Sequence, residues 1–203
     1  KLLVDFETRF TENGGQVLWA RDADDACEMI LKILIAEKTR NVMRSHSTIL
    51  DEIGLNDLLE KKNICLVETN VSRFLLKAAG MKSYHPLSPA IHLSKEEMND
   101  ILAKNYKLKS DSTPKQMVNF VRHQVGKDSE GSEVCITGAN FLLSDEGGVA
   151  LTEKEGNILK SAARSRIHIV VAGIAKVIPS MHELGLLLPL LSSHATGQSM
   201  AAL

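Results

Sequence analysis

Three short stretches of this 203-residue sequence hold side chains at spacings suited to chemistry. In "RSHSTILDEIGLN" (44–56), Ser45 and Ser47 stand where an apolar run hands over to a helical pattern. Hydroxyls and free N–H groups there can hold a phosphate or carboxylate, or the serines simply cap the helix. In "TGANFLLSDEGG" (137–148), Gly138 permits a tight exit, Asn140 offers an amide, and Asp145-Glu146 precede the Gly147-Gly148 doublet. Glycines let backbone N–H groups approach an anion, and a carboxylate beside a ligand serves as nucleophile or base. The competing reading is a hairpin-like turn with solvated acids.

In "EKEGN" (153–157), Glu155, Gly156 and Asn157 lie beyond the strand candidate 148–152. A strand of about five residues spans roughly 17 Å, so the loops at its two ends cannot share one small ligand. Asp145 and Glu146 are therefore expected to mark the functional loop. Glu155, Gly156 and Asn157 are expected to form an architectural turn, with Gly156 at positive φ and Glu155 bonding locally.

No metal site is expected. His85, His92, His168, His182 and His194 show no H-x-x-x-H spacing, and Cys27, Cys65 and Cys135 form no C-x-x-C. There is no G-x-G-x-x-G for a dinucleotide. His168, inside an apolar run, reads as a hydrogen-bonded core residue. "SAARSRIH", with Arg164 and Arg166, reads as a solvated turn or an anion contact. "ELGLLLPLL" reads as a core helix or a partner-facing one.

The elements that must position these residues follow from periodicity. Strands are expected at 16–20, 40–45, 64–68, 134–139, 148–152 and 168–174. Helices are expected at 2–13, from Asp22 or Asp24 to Ala36, and over 49–62 with a break at Gly54. Further helices run from Val71 to Gly80, from Ser94 in a capping box with Glu97, from Thr113-Pro114 to Gly126, and over 181–191 after Ser180 and Glu183. "YHPLSPAIHL" (84–93) suits an extended loop, and the ending "SSHATGQSMAAL" looks loose. Strands alternating with helices predict an α/β fold with a mainly parallel sheet flanked by helices. Loops after parallel strands share the carboxyl edge, so Ser45, Ser47, Asn140 and the Gly147-Gly148 backbone are expected to converge on one pocket.

Composition fits one domain over 1–203. The chain is 44% apolar and 24% charged, and its net charge of −1 would recruit neither nucleic acid nor an anionic membrane. The longest apolar run, Leu186–Leu188 extended through Pro189 to Leu191, is far too short to span a bilayer. Isolated cysteines and no signal-peptide pattern point to the cytoplasm.

Read together, these segments resemble the LUD domain of lactate-utilisation proteins, closest to the amino-terminal domain of the B-type members. Their K-S-K-S-M-x-T-E-E-x-x-L-N stretch is matched at Ser45, Ser47, Glu52, Leu55 and Asn56, and P-A-I/L-H at Pro89–His92. T/S-G-A/V-N/D-F is matched at Thr137–Phe141, A-E-T-G-G by "SDEGG", and N-E-G-N by "KEGN". The later segments "IHIVVAGIAKVIP" and "HATGQ" correspond as well. His46 departs from Lys, Asp145 from Glu, Glu146 from Thr and Lys154 from Asn.

The resemblance implies a fold similar to the sugar-phosphate isomerase and coenzyme A transferase-like fold. It implies a ligand site drawn from Ser45, Ser47, Glu52, Asn56, His92, Thr137, Gly138, Asn140, Gly147 and Gly148. It also implies a part in oxidising L-lactate to pyruvate within an iron–sulfur assembly. This chain would act there as a small-carboxylate-, phosphate- or partner-binding module, beside other lactate-utilisation proteins with iron–sulfur subunits. The B-type members continue into two ferredoxin-like cysteine clusters. No cofactor is expected in this chain, with clusters instead in a partner or a missing carboxy-terminal region, and autonomous lactate oxidation is not expected. The alternative is an enzyme of the transferase-like fold acting on acyl-coenzyme A or a sugar phosphate. By analogy with the transferase glutamate, it would use Asp145 or Glu146 as the catalytic acid.

Overall fold

The computed structural model describes residues 1–85, 88–153 and 155–197. In chain order the first elements are α1 (Leu2–Glu12), α2 (Ala23–Ala36), β1 (Asn41–Arg44), α3 (Thr48–Glu52), α4 (Leu55–Lys61), β2 (Cys65–Glu68) and α5 (Val71–Ala79). There follow α6 (Lys95–Tyr106), α7 (Pro114–Asp128), β3 (Val134–Gly138), β4 (Phe141–Leu143), β5 (Gly148–Ala150), α8 (Asn157–Arg164), β6 (Ile167–Val171), β7 (Val177–Ile178) and α9 (Leu184–Thr196). These elements fall into two compact units. The larger comprises Ala20–Gly138 and Glu153–Val171, and the smaller Lys1–Trp19, Ala139–Thr152 and Ala172–Leu203.

The larger unit is built on a four-stranded, all-parallel sheet in the order β2-β1-β3-β6. Its strands are short apolar runs because helices cover both faces. Leu34 of α2, Leu50 of α3 and Leu55 and Leu59 of α4 pack with Val42 and Ile136 in one core cluster. Phe74 and Leu75 of α5, Leu102 of α6 and Met117 and Val121 of α7 form the other. The chain moves from β1 outward to β2, then returns to the opposite flank of β1 with β3, so the strand order reverses between β1 and β3. In open parallel sheets that reversal parts the loops at the carboxyl edge and leaves a crevice for ligands.

The smaller unit holds a three-stranded sheet in the order β5-β4-β7. β4 and β5 form an antiparallel hairpin, and β7 runs parallel to β4. Strand 148–152 thus belongs to this second sheet as β5, rather than to the parallel one. α9 has no buried residue over its described side chains, and Leu186 and Leu190 are exposed.

Several local expectations need correction. Residues 16–20 form no strand: "QVLWA" is apolar enough but finds no ladder, and Leu18 and Trp19 are exposed. α7 runs through Gly126 to Asp128, where the Ser129 hydroxyl donates to the Gly126 carbonyl at 3.0 Å. The leucine-rich helix opens with a 3-10 turn over Met181–Glu183 and continues as α9 to Thr196, accommodating Pro189. Of "SAARSRIH", residues 161–164 are the last turn of α8, Ser165 and the exposed Arg166 form the link, and Ile167 and His168 open β6. The departure at Lys154, Pro86 and Leu87 of the loop 84–93, and the ending beyond Gly197 lie outside the described residues.

Candidate functional site

The carboxyl edge of the parallel sheet is organised by a charge that was not singled out from the sequence. Arg44, the last residue of β1, is fully buried. Its guanidinium donates to Glu68 Oε1 at 2.8 Å and to Asp51. Asp51 also pairs with Arg73 of α5, and Arg73 Nε donates to His46 Nδ1 at 3.2 Å. Two guanidinium groups thus face two carboxylates, which offsets part of the cost of burying Arg44, whose Nε has no partner among the described residues, as Glu68 Oε2 has none. Arg44 and Glu68 are register partners on adjacent parallel strands, so the sheet itself sets their separation. The sequence hints at this only in that Arg44 and Glu68 each end a strand whose inner residues are apolar.

This network fixes the loop 45–47. The Ser45 N–H donates to the Ile136 carbonyl at 3.1 Å, extending the ladder beyond β1. The Ser45 side chain is 1% exposed and its Oγ has no partner. A buried hydroxyl without a bond loses its hydration uncompensated, a cost that a water or a ligand oxygen at this edge would remove. Ser47 occupies the N-cap position of α3, yet its hydroxyl makes no capping bond. It lies instead against Gly138 at the end of β3, where any Cβ would overlap it. Gly138 is therefore glycine because of that close approach. Thr137, fully buried, meets His168 through Oγ1 and Nε2 at 2.8 Å. The protein around His168 lowers its pKa by burial, although part of the residue stays open to solvent. His168 is thus hydrogen-bonded but not a core residue.

Ser45, Ser47, Thr137 and Gly138 accordingly meet at the β1/β3 reversal. The other expected residues are placed differently. Glu52 is exposed on α3, and Asn56 on α4 is half-buried with Oδ1 unpartnered. The rings of His92 and Tyr84 meet at a tilt, with centroids 5.2 Å apart. Asn140, Asp145, Glu146, Gly147 and Gly148 belong to the smaller unit.

There Asn140 Oδ1 accepts from Thr152 N at 2.7 Å and from Thr152 Oγ1 at 3.0 Å, closing the base of the β4–β5 hairpin. Asp145 and Glu146 sit in its turn. Glu146 Oε1 accepts the Met181 N–H at 2.9 Å, and the Glu146 carbonyl accepts Asn13 Nδ2 at 2.8 Å. Among the described residues the Asp145 carboxylate has no hydrogen bond or ion pair, whereas its N–H donates to the Pro179 carbonyl. Gly147 has φ 58°, and a Cβ there would stand 2.5 Å from backbone atoms of Arg9 and Phe10. Gly148 opens β5.

The loop 153–157 holds helix ends. Glu153 accepts from the N–H groups of Ile158 and Leu159 at the start of α8. Glu155 reaches across the larger unit instead of bonding locally: its carboxylate accepts Asn70 Nδ2 at 2.9 Å and Val71 N at 3.0 Å, capping α5. Carboxylates at these positions complement the positive end of a helix dipole. Gly156 has φ 70°, and Asn157 Nδ2 donates to Thr69 Oγ1 at 3.0 Å. The loop thus ties α8 to the turn between β2 and α5.

The donor set does not fit a cluster. Cys27 and Cys135 are buried, Cys65 is exposed, and among the described residues no three His, Cys, Asp or Glu side chains gather for a metal. Among them, too, no helix is long and apolar enough to cross a membrane.

The family model of the LUD domain matches residues 3–202. The chain is similar to the uncharacterized electron transport protein YkgF of Escherichia coli (strain K12), at 30% identity over 195 residues, 96% of this chain and 41% of that protein. It is similar to lactate utilization protein B of Shouchella clausii (strain KSM-K16), at 29% over 190 residues, 93% of this chain and 40% of that protein. It is also similar to lactate utilization protein B of Geobacillus kaustophilus (strain HTA426), at 26% over 201 residues, 98% and 42% respectively. The chain spans about two fifths of the length of these relatives. No solved structure matches it.

Proposed function

This chain belongs to the LUD domain family, and on that premise we propose that it serves lactate utilisation as a cytoplasmic module binding a small carboxylate. The binding site is the β1/β3 reversal, with Ser45, Ser47 and the backbone at Thr137–Gly138 as its polar groups. The observation that carries the site is the buried Ser45 hydroxyl, which has no partner at a position where parallel sheets hold ligands. The observation that carries the role is the likeness to two proteins named lactate utilization protein B. The iron–sulfur chemistry belongs to partner subunits or to a further part of a longer chain, because the three thiols here form no ligand set. The alternative, an acyl-coenzyme A or sugar-phosphate enzyme centred on Asp145 or Glu146, draws only on the unengaged Asp145 carboxylate, since Glu146 is bonded to Met181.

The test has two levels. A strain lacking this chain is expected to lose growth on L-lactate, and normal growth would overturn the role. Calorimetric titration of the chain with pyruvate and L-lactate is expected to show saturable binding that Ser45→Ala/Ser47→Ala removes. Binding that survives in this variant would overturn the site while leaving the role intact.

A further inference from the structure

We infer that the groove between α7 and α8 is a second ligand site, one for a compact anion carrying at least two negative charges. Arg122 and Val125 of α7, with Ser129 at its carboxyl cap, line one wall, and Asn157, Lys160 and Arg164 of α8 line the other. Steps of three and four residues place each set on one helical face. With a rise of 1.5 Å per residue, the lining spans about 10 Å along each helix. The small residues Gly126 and Ser161 leave the groove open, and Met43, Val71 and Val121 give it apolar lining.

Its electrostatics are one-sided. Among the described residues three cations line the groove, and the one acid that does, Glu155, is already committed to Asn70 and Val71. Among the described residues, Arg122, Lys160 and Arg164 take part in no ion pair. Arg122 donates one N–H to the Glu155 carbonyl at 3.0 Å and keeps its other donors. The serine hydroxyls are turned away from this role: Ser161 Oγ donates to the Asn157 carbonyl and Ser129 Oγ to that of Gly126. Recognition therefore falls to the cations, which bind phosphoryl or carboxyl oxygens through charge-assisted hydrogen bonds. In a chain of net charge −1, such a local excess of positive charge focuses anions on this groove. Ser45, Ser47 and Gly138 do not line it, so this is not the β1/β3 site.

The probes are inorganic diphosphate and citrate, titrated calorimetrically into the chain at fixed ionic strength. Saturable binding of either is expected, and the one that binds tighter assigns the preferred anionic group. In Lys160→Gln/Arg164→Gln, whose side chains are peripheral, Kd should weaken by about tenfold or more with the ligand-free Tm unchanged. Should the double variant melt lower, Lys160→Gln alone is read in its place, with weakened binding expected. Ser45→Ala/Ser47→Ala should bind the probes as the parent does. No saturable binding of either probe, equal binding by the groove variant, or loss confined to the serine variant would each overturn the assignment.

Discussion

Ser47 and Gly138 touch across the β1/β3 reversal so closely that the glycine has no room for a side chain, although it sits at an ordinary strand φ. A methyl group at 138 would crowd both the hydroxyl and the Cβ of Ser47, the latter at 2.9 Å. Gly138→Ala should therefore cost about 1–3 kcal/mol, the usual penalty for overpacking. Ser47→Gly in the same chain should restore most of that loss, because it removes both crowded atoms. Urea denaturation of the three variants measures it; absence of rescue would mean that the strain lies elsewhere.

Gly147 and Gly156 separate two reasons for a glycine. Both have positive φ, but nothing lies within 4 Å of a Cβ at 156, whereas one at 147 meets backbone of α1 at 2.5 Å. Gly156→Ala should cost only the left-handed strain, about 1–2 kcal/mol. Gly147→Ala should cost clearly more, since backbone cannot rotate aside. Equal midpoints in urea would remove the distinction.

The buried pair should respond asymmetrically. Arg44→Met leaves Glu68 buried and unpaired, so a loss of about 3–5 kcal/mol is expected, while Arg44→Met/Glu68→Met should regain much of it. Chemical denaturation of the single and double variants decides this. A double variant no better than the single would show that the guanidinium does more than neutralise Glu68.

Elements whose causes are local were readable in advance. The capping boxes at Ser94–Glu97 and Ser180–Glu183 lie within one turn and carry their own signal. So do the strands of the parallel sheet, whose double burial writes continuous apolar runs. "QVLWA" misled because strand propensity says nothing about whether a partner strand exists. The site residues Ser45, Ser47, Thr137 and Gly138 were readable as loop chemistry after strands. Arg44, Asp51, Glu68 and Arg73 were not, because their meaning arises only when β1 and β2 align and α3 and α5 close on them. Glu155 looked like a turn residue for the same reason: its partners are 84 and 85 positions earlier.

Thiol chemistry offers a pH test. Burial pushes the Cys135 thiol from 9.0 up to about 12. The unfolded thiol ionises first, so its contribution to stability is complete below pH 9 and is lost as pH rises towards about 12. Native protein treated with a maleimide should label at the exposed Cys65, with Cys27 and Cys135 reacting only on unfolding. Rapid native labelling at Cys135, read by mass spectrometry, would contradict its burial.

The division of the larger unit around residues 139–152 has a temporal consequence. During synthesis, β1, β2 and β3 emerge before the hairpin, and only afterwards do α8 and the edge strand β6 arrive. Until then one flank of β3 remains an open ladder, and the first turn of α5 lacks the carboxylate of Glu155. Open edges invite wrong pairing, and the cost of closing such long loops falls before the contacts that reward it. The carboxyl edge is thus assembled late, and the nascent chain is most exposed to misassociation between the emergence of Gly138 and that of Val171.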